Sequence, residues 1–207
     1  YTKNRNDWKI LNMIQNKSFK WYVYKLNSFT ENECNKILDY CGEKWNKSEL
    51  VKEYEESGES VGEVRENIRN VEELKIDLKF VNDKVIKLFN IANQQIWKYK
   101  LELDEIETPK ILKYTSNSFY SWHPDFGNGS ESTRKLSMII QLSNEDSYTG
   151  GELEFCLPQD GETDYPCAPK TKGTVIIFNP LLIHRIKSVT SGVRYSLLTW
   201  VHGDTFK

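Results

Sequence analysis

Seven short apolar runs between residues 106 and 202, two stretches of helical periodicity upstream and no internal repeat predict an α+β fold. Its form is a double-stranded β-helix (jelly-roll) core with N-terminal helices packed against it. A length of 207 residues suits a single domain over 1–207. Residues 1–104 then make a helical support region with a mobile loop at about 43–70, and residues 105–207 make the jelly-roll core.

Trp8, Leu11 and Ile14 recur at helical spacing and predict an entry helix within residues 1–17. Lys20–Leu26 reads as a strand. Thr30-Glu-Asn-Glu33 is the capping box that opens a helix, with Cys34, Ile37, Leu38 and Cys41 on one face and Gly42 as its stop. Residues 43–66 hold eight Glu against four Lys or Arg and two interrupting glycines, a pattern for a long mobile loop with short strands at its end. Val85, Leu88, Phe89, Ala92 and Ile96 then define a helix over about 82–98. The strands follow as Ile106–Tyr114, Phe119–Asp125, Arg134–Leu142, Gly151–Cys156, Gly173–Phe178, Leu182–Val189 and Val193–His202.

A net charge of −2, from 28 basic and 30 acidic side chains, supplies no global field for nucleic acid or an anionic membrane. The apolar runs Val175–Phe178 and Leu181–Ile183 are far too short to span a bilayer, and neither a membrane partner nor a signal peptide is expected. Cys34, Cys41, Cys156 and Cys167 form no C-x-x-C pair, so reduced thiols in a cytoplasmic compartment are expected.

The chemistry is carried by His123 and Asp125, by His184 lying 59 residues beyond Asp125, and by Arg194 ten residues further. A strand sends residues i and i+2 to one side, so an extended Tyr120–Asp125 segment aims an imidazole and a carboxylate at one point. Pro124 biases His123 toward extended backbone. Two neutral imidazoles and one carboxylate with the remaining positions open describe the facial triad of non-haem Fe(II) oxygenases, and the same donors also suit a hydrolytic Zn(II). Arg194 separates the two metals, because its guanidinium fork matches the far carboxylate of an organic co-substrate. If Thr190-Ser-Gly192 turns a hairpin, Arg194 pairs near Ser188, roughly 13 Å along the strand from His184, a gap that a five-carbon diacid fills. Ser196 shares the face of Arg194 and extends the clamp. His202 has no partner spacing and reads as structural or exposed.

These residues resemble the 2-oxoglutarate and Fe(II)-dependent dioxygenases, in particular the prolyl 4-hydroxylase-like branch. The resemblance covers Ile111 to Gly203 and, more weakly, Trp21 to Ile37. It rests on Tyr114, Tyr120, His123 and Asp125, on Gly150-Gly151-Glu152-Leu153, and on the step from His184 to Arg194 followed by Tyr195-Ser196 and Trp200. It implies that His123, Asp125 and His184 bind Fe(II), that Arg194 holds the distal carboxylate of 2-oxoglutarate, and that Tyr114 hydrogen-bonds this co-substrate. It further implies that Tyr120 and Trp200 line the substrate pocket and that Arg134 faces the substrate. Asn117 departs from the family's usual Gly, and Gln141 from a Tyr that assists the arginine in some relatives, so either Gln141 or Ser196 replaces that hydroxyl.

The implied reaction is 4-hydroxylation of a proline in a protein or peptide, consuming O2 and 2-oxoglutarate and releasing succinate and CO2, with ascorbate as a reductant. The acidic 43–66 segment would close over a peptide, a basic one by charge. The same machinery acting on a lysyl side chain, a free amino acid or a small metabolite stays open, as does a non-catalytic jelly-roll binding module. Nucleic-acid demethylation is disfavoured, since Trp200 stands where such relatives repeat an arginine.

Overall fold

A computed structural model describes residues 8–10, 21–42, 45–54, 60–157 and 165–206. The chain opens on β1 (Lys9–Ile10), which pairs antiparallel with β2 (Tyr22–Lys25) through Lys9 opposite Tyr24 and Ile10 opposite Val23. The expected entry helix is therefore corrected at these positions. Covering the edge of β2 satisfies backbone groups that a sheet edge leaves unpaired, while Trp8 still reaches the core. Leu11 and Ile14 lie outside the described residues.

α1 (Glu31–Asp39) starts where the capping box places it. The Glu33 amide donates to Thr30 Oγ1 at 3.2 Å, and the Thr30 amide donates to the Glu33 carboxylate at 2.7 Å. The same carboxylate receives Lys84 Nζ at 2.6 Å from α2 (Lys79–Gln95), so the cap also ties the two helices together. Thr30→Ala is expected to cost about 1 kcal/mol, seen as a lower urea midpoint at unchanged slope. α2 begins earlier and ends sooner than its apolar spacing suggests. Its end is fixed by Asn93, whose side chain exchanges hydrogen bonds of 2.8 and 2.9 Å with the Tyr99 backbone, and by a left-handed Lys98 at φ 58°.

The segment expected as a mobile loop with short strands at its end holds β3 (Asn46–Lys47), the antiparallel hairpin of β4 (Leu50–Tyr54) and β5 (Ser60–Glu63), and β6 (Arg69–Asn70), so its strands begin earlier than expected. β7 (Glu72–Lys75) follows. The expected single strand Ile106–Tyr114 is two, β8 (Glu102–Ile106) and β9 (Lys110–Tyr114), broken beside Pro109, which has no N–H to give a ladder. The remaining strands are β10 (Phe119–His123), β11 (Arg134–Gln141), β12 (Tyr148–Gly150), β13 (Leu153–Phe155), β14 (Val175–Phe178), β15 (His184–Ile186), β16 (Val189–Gly192) and β17 (Arg194–His202).

They form the double-stranded β-helix. The larger sheet runs β1-β2-β14-β11-β17-β9-β7-β3, with β8 also on β17, and the smaller runs β13-β15-β10-β6. Strands from the first half thus enter the core sheet alongside the helices. Alternation divides the larger sheet cleanly. Ile111, Met138, Ile140, Val175, Ile177, Leu197 and Val201 pack outward against Ile37, Val81, Val85 and Phe89 of the helices. Leu112, Tyr114, Ile139, Ile176, Phe178, Leu198 and Trp200 pack inward with Leu153, Phe155 and Ile186 of the smaller sheet. A sheet covered on both faces explains why every residue of β11 is buried.

The expected Thr190–Gly192 hairpin is also corrected. β16 pairs with β12, not β17, placing Tyr148 opposite Gly192. β17 crosses to the larger sheet, where Arg194 lies opposite Tyr114. Arg194 therefore comes from the sheet facing His184, and the estimate along one hairpin does not apply. Among the described residues no helix is long and apolar enough to cross a membrane.

Candidate functional site

β10 and β15 lie side by side with His123 directly opposite His184, so one cross-strand pair supplies both imidazoles, their ring centroids 4.2 Å apart. The strand ends at His123, one residue before Pro124, and Asp125 follows in a bend. That bend is pinned to the turn leading into β15, because the Asp125 and Phe126 amides both donate to the Pro180 carbonyl, at 2.9 and 3.1 Å. Pro180 is itself placed by Asn179, whose Oδ1 accepts from the Leu181 amide at 2.9 Å. The ligand-bearing segments are thus fastened to each other by backbone bonds.

His123 Nε2 lies 3.8 Å from Asp125 Oδ1, and His184 Nε2 lies 3.8 Å from Asp125 Oδ2. One donor atom from each residue falls within 4.8 Å of the others, and no other such cluster of His, Cys, Asp or Glu occurs among the described residues. Both Nδ1 atoms face carbonyls, His123 toward Ser121 at 2.7 Å and His184 toward Leu182 at 2.9 Å. A carbonyl only accepts, so each Nδ1 carries the proton and each Nε2 turns a lone pair inward. Burial, with the neighbouring His184, pushes His123 down to about 3, so it stays neutral at physiological pH. Burial pushes the Asp125 carboxyl up, but the two imidazoles and Arg134 outweigh it and hold it below its ordinary value. Asp125 Oδ2 is buried without a hydrogen-bond partner. Two lone pairs and an unsatisfied carboxylate oxygen converging in a buried pocket fit a divalent cation.

Arg194 is fully buried. Its Nη1 donates to Ser196 Oγ at 3.1 Å and its Nη2 to Gln141 Oε1 at 3.0 Å, so both side chains proposed to replace the relatives' tyrosine touch it. Gln141 is steadied by donating to the Pro169 carbonyl at 3.1 Å. Tyr114 offers its ring to the guanidinium at 5.1 Å. Arg194 Nε has no hydrogen-bond partner, and no carboxylate of the described residues lies within ion-pair distance of Arg194. A buried cation without a counter-ion is costly. A bound carboxylate relieves that cost, so the residues present fit a 2-oxo diacid beside a metal.

Beside Asp125 opens a cleft of about 460 Å3 lined by Tyr120, Pro124, Arg134, Leu198 and Trp200, with Glu49, Leu50 and Gly62 from the β4–β5 region. Tyr120 stacks on the His123 ring at 3.4 Å. Arg134 is buried. It grips Glu107 with Nε and Nη2 at 2.6 and 3.2 Å, donates Nη1 to the Asp125 carbonyl at 2.8 Å and lies 3.9 Å over the Trp200 ring. His202 is structural, contacting Thr133 Oγ1 at 2.7 Å and Glu107 at 3.2 Å. Burial pushes Glu107 up, but hydrogen bonds from His202 and Arg134 hold it below its ordinary value. Two contributors had no sequence signal. Glu107 sits in the break between β8 and β9, and Arg69, 4.6 Å over the Tyr120 ring, comes from a two-residue strand.

Residues 109–202 match the 2OG-Fe(II) oxygenase superfamily. A PKHD-type hydroxylase of Prochlorococcus marinus (strain MIT 9301) is 26% identical over 180 residues, covering 85% of this chain and 74% of the relative. The chain spans about half or less of the length of other curated relatives, 48%, 50% and 40% of three PKHD-type hydroxylases. A Pseudomonas putida prolyl-4-hydroxylase superposes with a TM-score of 0.67 at 17% identity, covering 88% of this chain and 92% of that one. A Trichoplax adhaerens prolyl hydroxylase, in complex with a hypoxia inducible factor oxygen degradation domain peptide fragment, gives 0.66 at 16% identity, covering 87% and 83%. At such identities the two structures establish the fold. The segment that matches the 2OG-Fe(II) oxygenase superfamily spans every residue of the histidine–aspartate cluster, and the chain has the fold of these prolyl hydroxylases.

Proposed function

We propose that the protein is an Fe(II)- and 2-oxoglutarate-dependent dioxygenase that hydroxylates a proline residue of a protein or peptide at C4. The observation that carries this reading is the pairing of a buried, unsatisfied His-Asp-His cluster with a buried arginine that lacks a carboxylate partner. His123, Asp125 and His184 would hold the iron. With 2-oxoglutarate and O2, and ascorbate as a reductant, the metal supplies the oxidising power for C–H hydroxylation, releasing succinate and CO2.

The protein's own side chains place and shield the reactants. Arg194, with Ser196 and Gln141 fixing its plane, anchors the distal carboxylate, and Tyr114 packs beside that anchor as a further co-substrate contact. Phe178 meets the His184 ring edge-on at 4.7 Å and keeps water from that side of the cluster. Arg134 holds the Asp125 backbone from below while its stack on Trp200 forms one wall of the substrate cleft. Tyr120 forms another.

A cleft of this volume, walled by two aromatic side chains and open to solvent, suits a pyrrolidine ring carried on an extended backbone. The peptide complex of the Trichoplax enzyme supports the same substrate class. The β4–β5 hairpin borders the cleft, which supports a covering role for it. Acidic and basic side chains along the described lining are evenly matched, five of each, so the cleft itself gives no support to a preference for basic peptides. Four free thiols, two of them exposed, suit a reducing, cytoplasm-like compartment. The whole chain would act as one catalytic domain, since both halves border the cleft.

The test is mass spectrometry of proline-containing peptides incubated with the protein. The expected result is the gain of one oxygen on proline only when Fe(II) and 2-oxoglutarate are both present. Conversion of 2-oxoglutarate to succinate with oxygen gained on lysine or a free amino acid would redirect the substrate. No succinate under any condition would reject the enzyme class.

A further inference from the structure

Arg194 heads the fully buried side chains by volume, yet its Nε–H has no hydrogen-bond partner among the described residues. A second buried polar atom nearby is equally unsatisfied, the hydroxyl of Tyr148, a residue only 4% exposed. The two side chains meet across Gly151. A Cβ built there would lie 2.9 Å from Arg194 Cδ and 3.2 Å from Tyr148 Cε2. The first of those carbons is bonded to Nε, and the second is one bond from the carbon bearing the hydroxyl. Gly151 also sits at φ +65°, so this glycine permits both the backbone path and the close approach.

The Tyr148 ring is held from several directions. Its strand pairs it with Gly192, where a Cβ would strike the Tyr148 Cα at 2.9 Å. Lys170 Nζ covers the ring face at 4.3 Å and is itself fixed by donating to the Gly150 carbonyl at 3.0 Å. Burial raises the phenol's pKa, and the Arg194 guanidinium opposes that rise through its charge and as a close, poorly aligned donor to the phenol oxygen, so the hydroxyl keeps its proton and that proton still lacks an acceptor. A purely structural tyrosine buried this deeply finds a protein acceptor for its hydroxyl. Tyr148 has none.

We propose that Tyr148 is a co-substrate-binding residue, its O–H donating to the same distal carboxylate that Arg194 holds. The inference rests on the reading of Arg194 as the 2-oxoglutarate anchor. A carboxylate can accept several hydrogen bonds, so one group in this position satisfies both the orphaned Nε–H and the orphaned hydroxyl. The phenol hydroxyl that Gln141 does not provide is then supplied from β12, through the strand pair that replaced the expected hairpin. Selection of a diacid over a 2-oxo monoacid follows, because neither donor has an acceptor when the distal carboxylate is missing.

Calorimetry on the Mn(II)-loaded protein tests this without turnover. Tyr148→Phe keeps the ring beneath Lys170 and removes only a hydroxyl whose proton has no protein acceptor. The expected result is a loss of tenfold or more in 2-oxoglutarate affinity, on the order of one charge-assisted hydrogen bond, with Mn(II) affinity and the affinity for 2-oxobutyrate unchanged. Unaltered 2-oxoglutarate binding by the variant would overturn the inference. So would an equal loss for both acids or a loss of Mn(II), either of which marks a structural role. Wild-type protein that takes up Mn(II) but no 2-oxoglutarate would instead overturn the Arg194 assignment, and this inference with it.

Discussion

Asp125→Ala is expected to lower Fe(II) affinity by more than a hundredfold and abolish succinate formation, while the far-ultraviolet circular dichroism spectrum stays that of the wild type. The carboxylate is the one acidic side chain in the cluster, beside two imidazoles. Disturbing a residue that merely supports a metal ligand already costs about 10–100-fold in metal affinity, so losing a ligand outright must cost more. The fold should survive because what holds this bend is backbone. The amides of residues 125 and 126 reach Pro180, and the residue 125 carbonyl receives Arg134, whatever the side chain. Equilibrium dialysis against Fe(II) under nitrogen measures the first effect. Fe(II) uptake by the variant equal to that of the wild type would show that the cluster has been wrongly assigned.

Arg194→Met separates the co-substrate from the metal. Methionine is unbranched and fills much of the channel of the arginine stem, but it presents no donor to a carboxylate. Breaking one partner of a buried, hydrogen-bonded charge pair costs about 2–5 kcal/mol, so 2-oxoglutarate affinity is expected to fall by a factor of roughly 30 to several thousand. Fe(II) uptake should not change, because Arg194 lies on β17 and the metal donors lie on β10, the bend after it, and β15. Thermal melts provide the readout. Saturating 2-oxoglutarate raises the melting temperature of the metal-loaded wild type by mass action, and the same addition to Arg194→Met should give no rise. An undiminished shift would mean the diacid binds elsewhere.

Local features were legible in the sequence. The capping box at Thr30 and Glu33, the apolar face of α2 and the strand at the end of the chain each depend on residues a few positions apart; the cap and the strand were found where the sequence placed them, and α2 with both ends shifted toward the N-terminus. The break at Pro109 was legible in principle, since a residue without an N–H interrupts a ladder wherever it falls. Strand partnering was another matter. Nothing local tells β16 to choose β12 over β17, because that choice is decided by packing between segments some forty residues apart. The cluster of His123, Asp125 and His184 could be anticipated because the chemistry of the donors constrained the answer. The route by which Arg194 arrives could not, and neither could the places of Glu107, Arg69 and Tyr148, whose neighbours come from distant strands.

The central claim is that three side chains, two from adjoining strands and one from the bend after the first of them, close on one ferrous ion. Anaerobic Fe(II) titration of the wild type alongside His123→Ala, Asp125→Ala and His184→Ala tests it most directly. One tightly bound ion per chain, lost from each variant, is the result expected. Tight Fe(II) binding that persists in all three variants would contradict it.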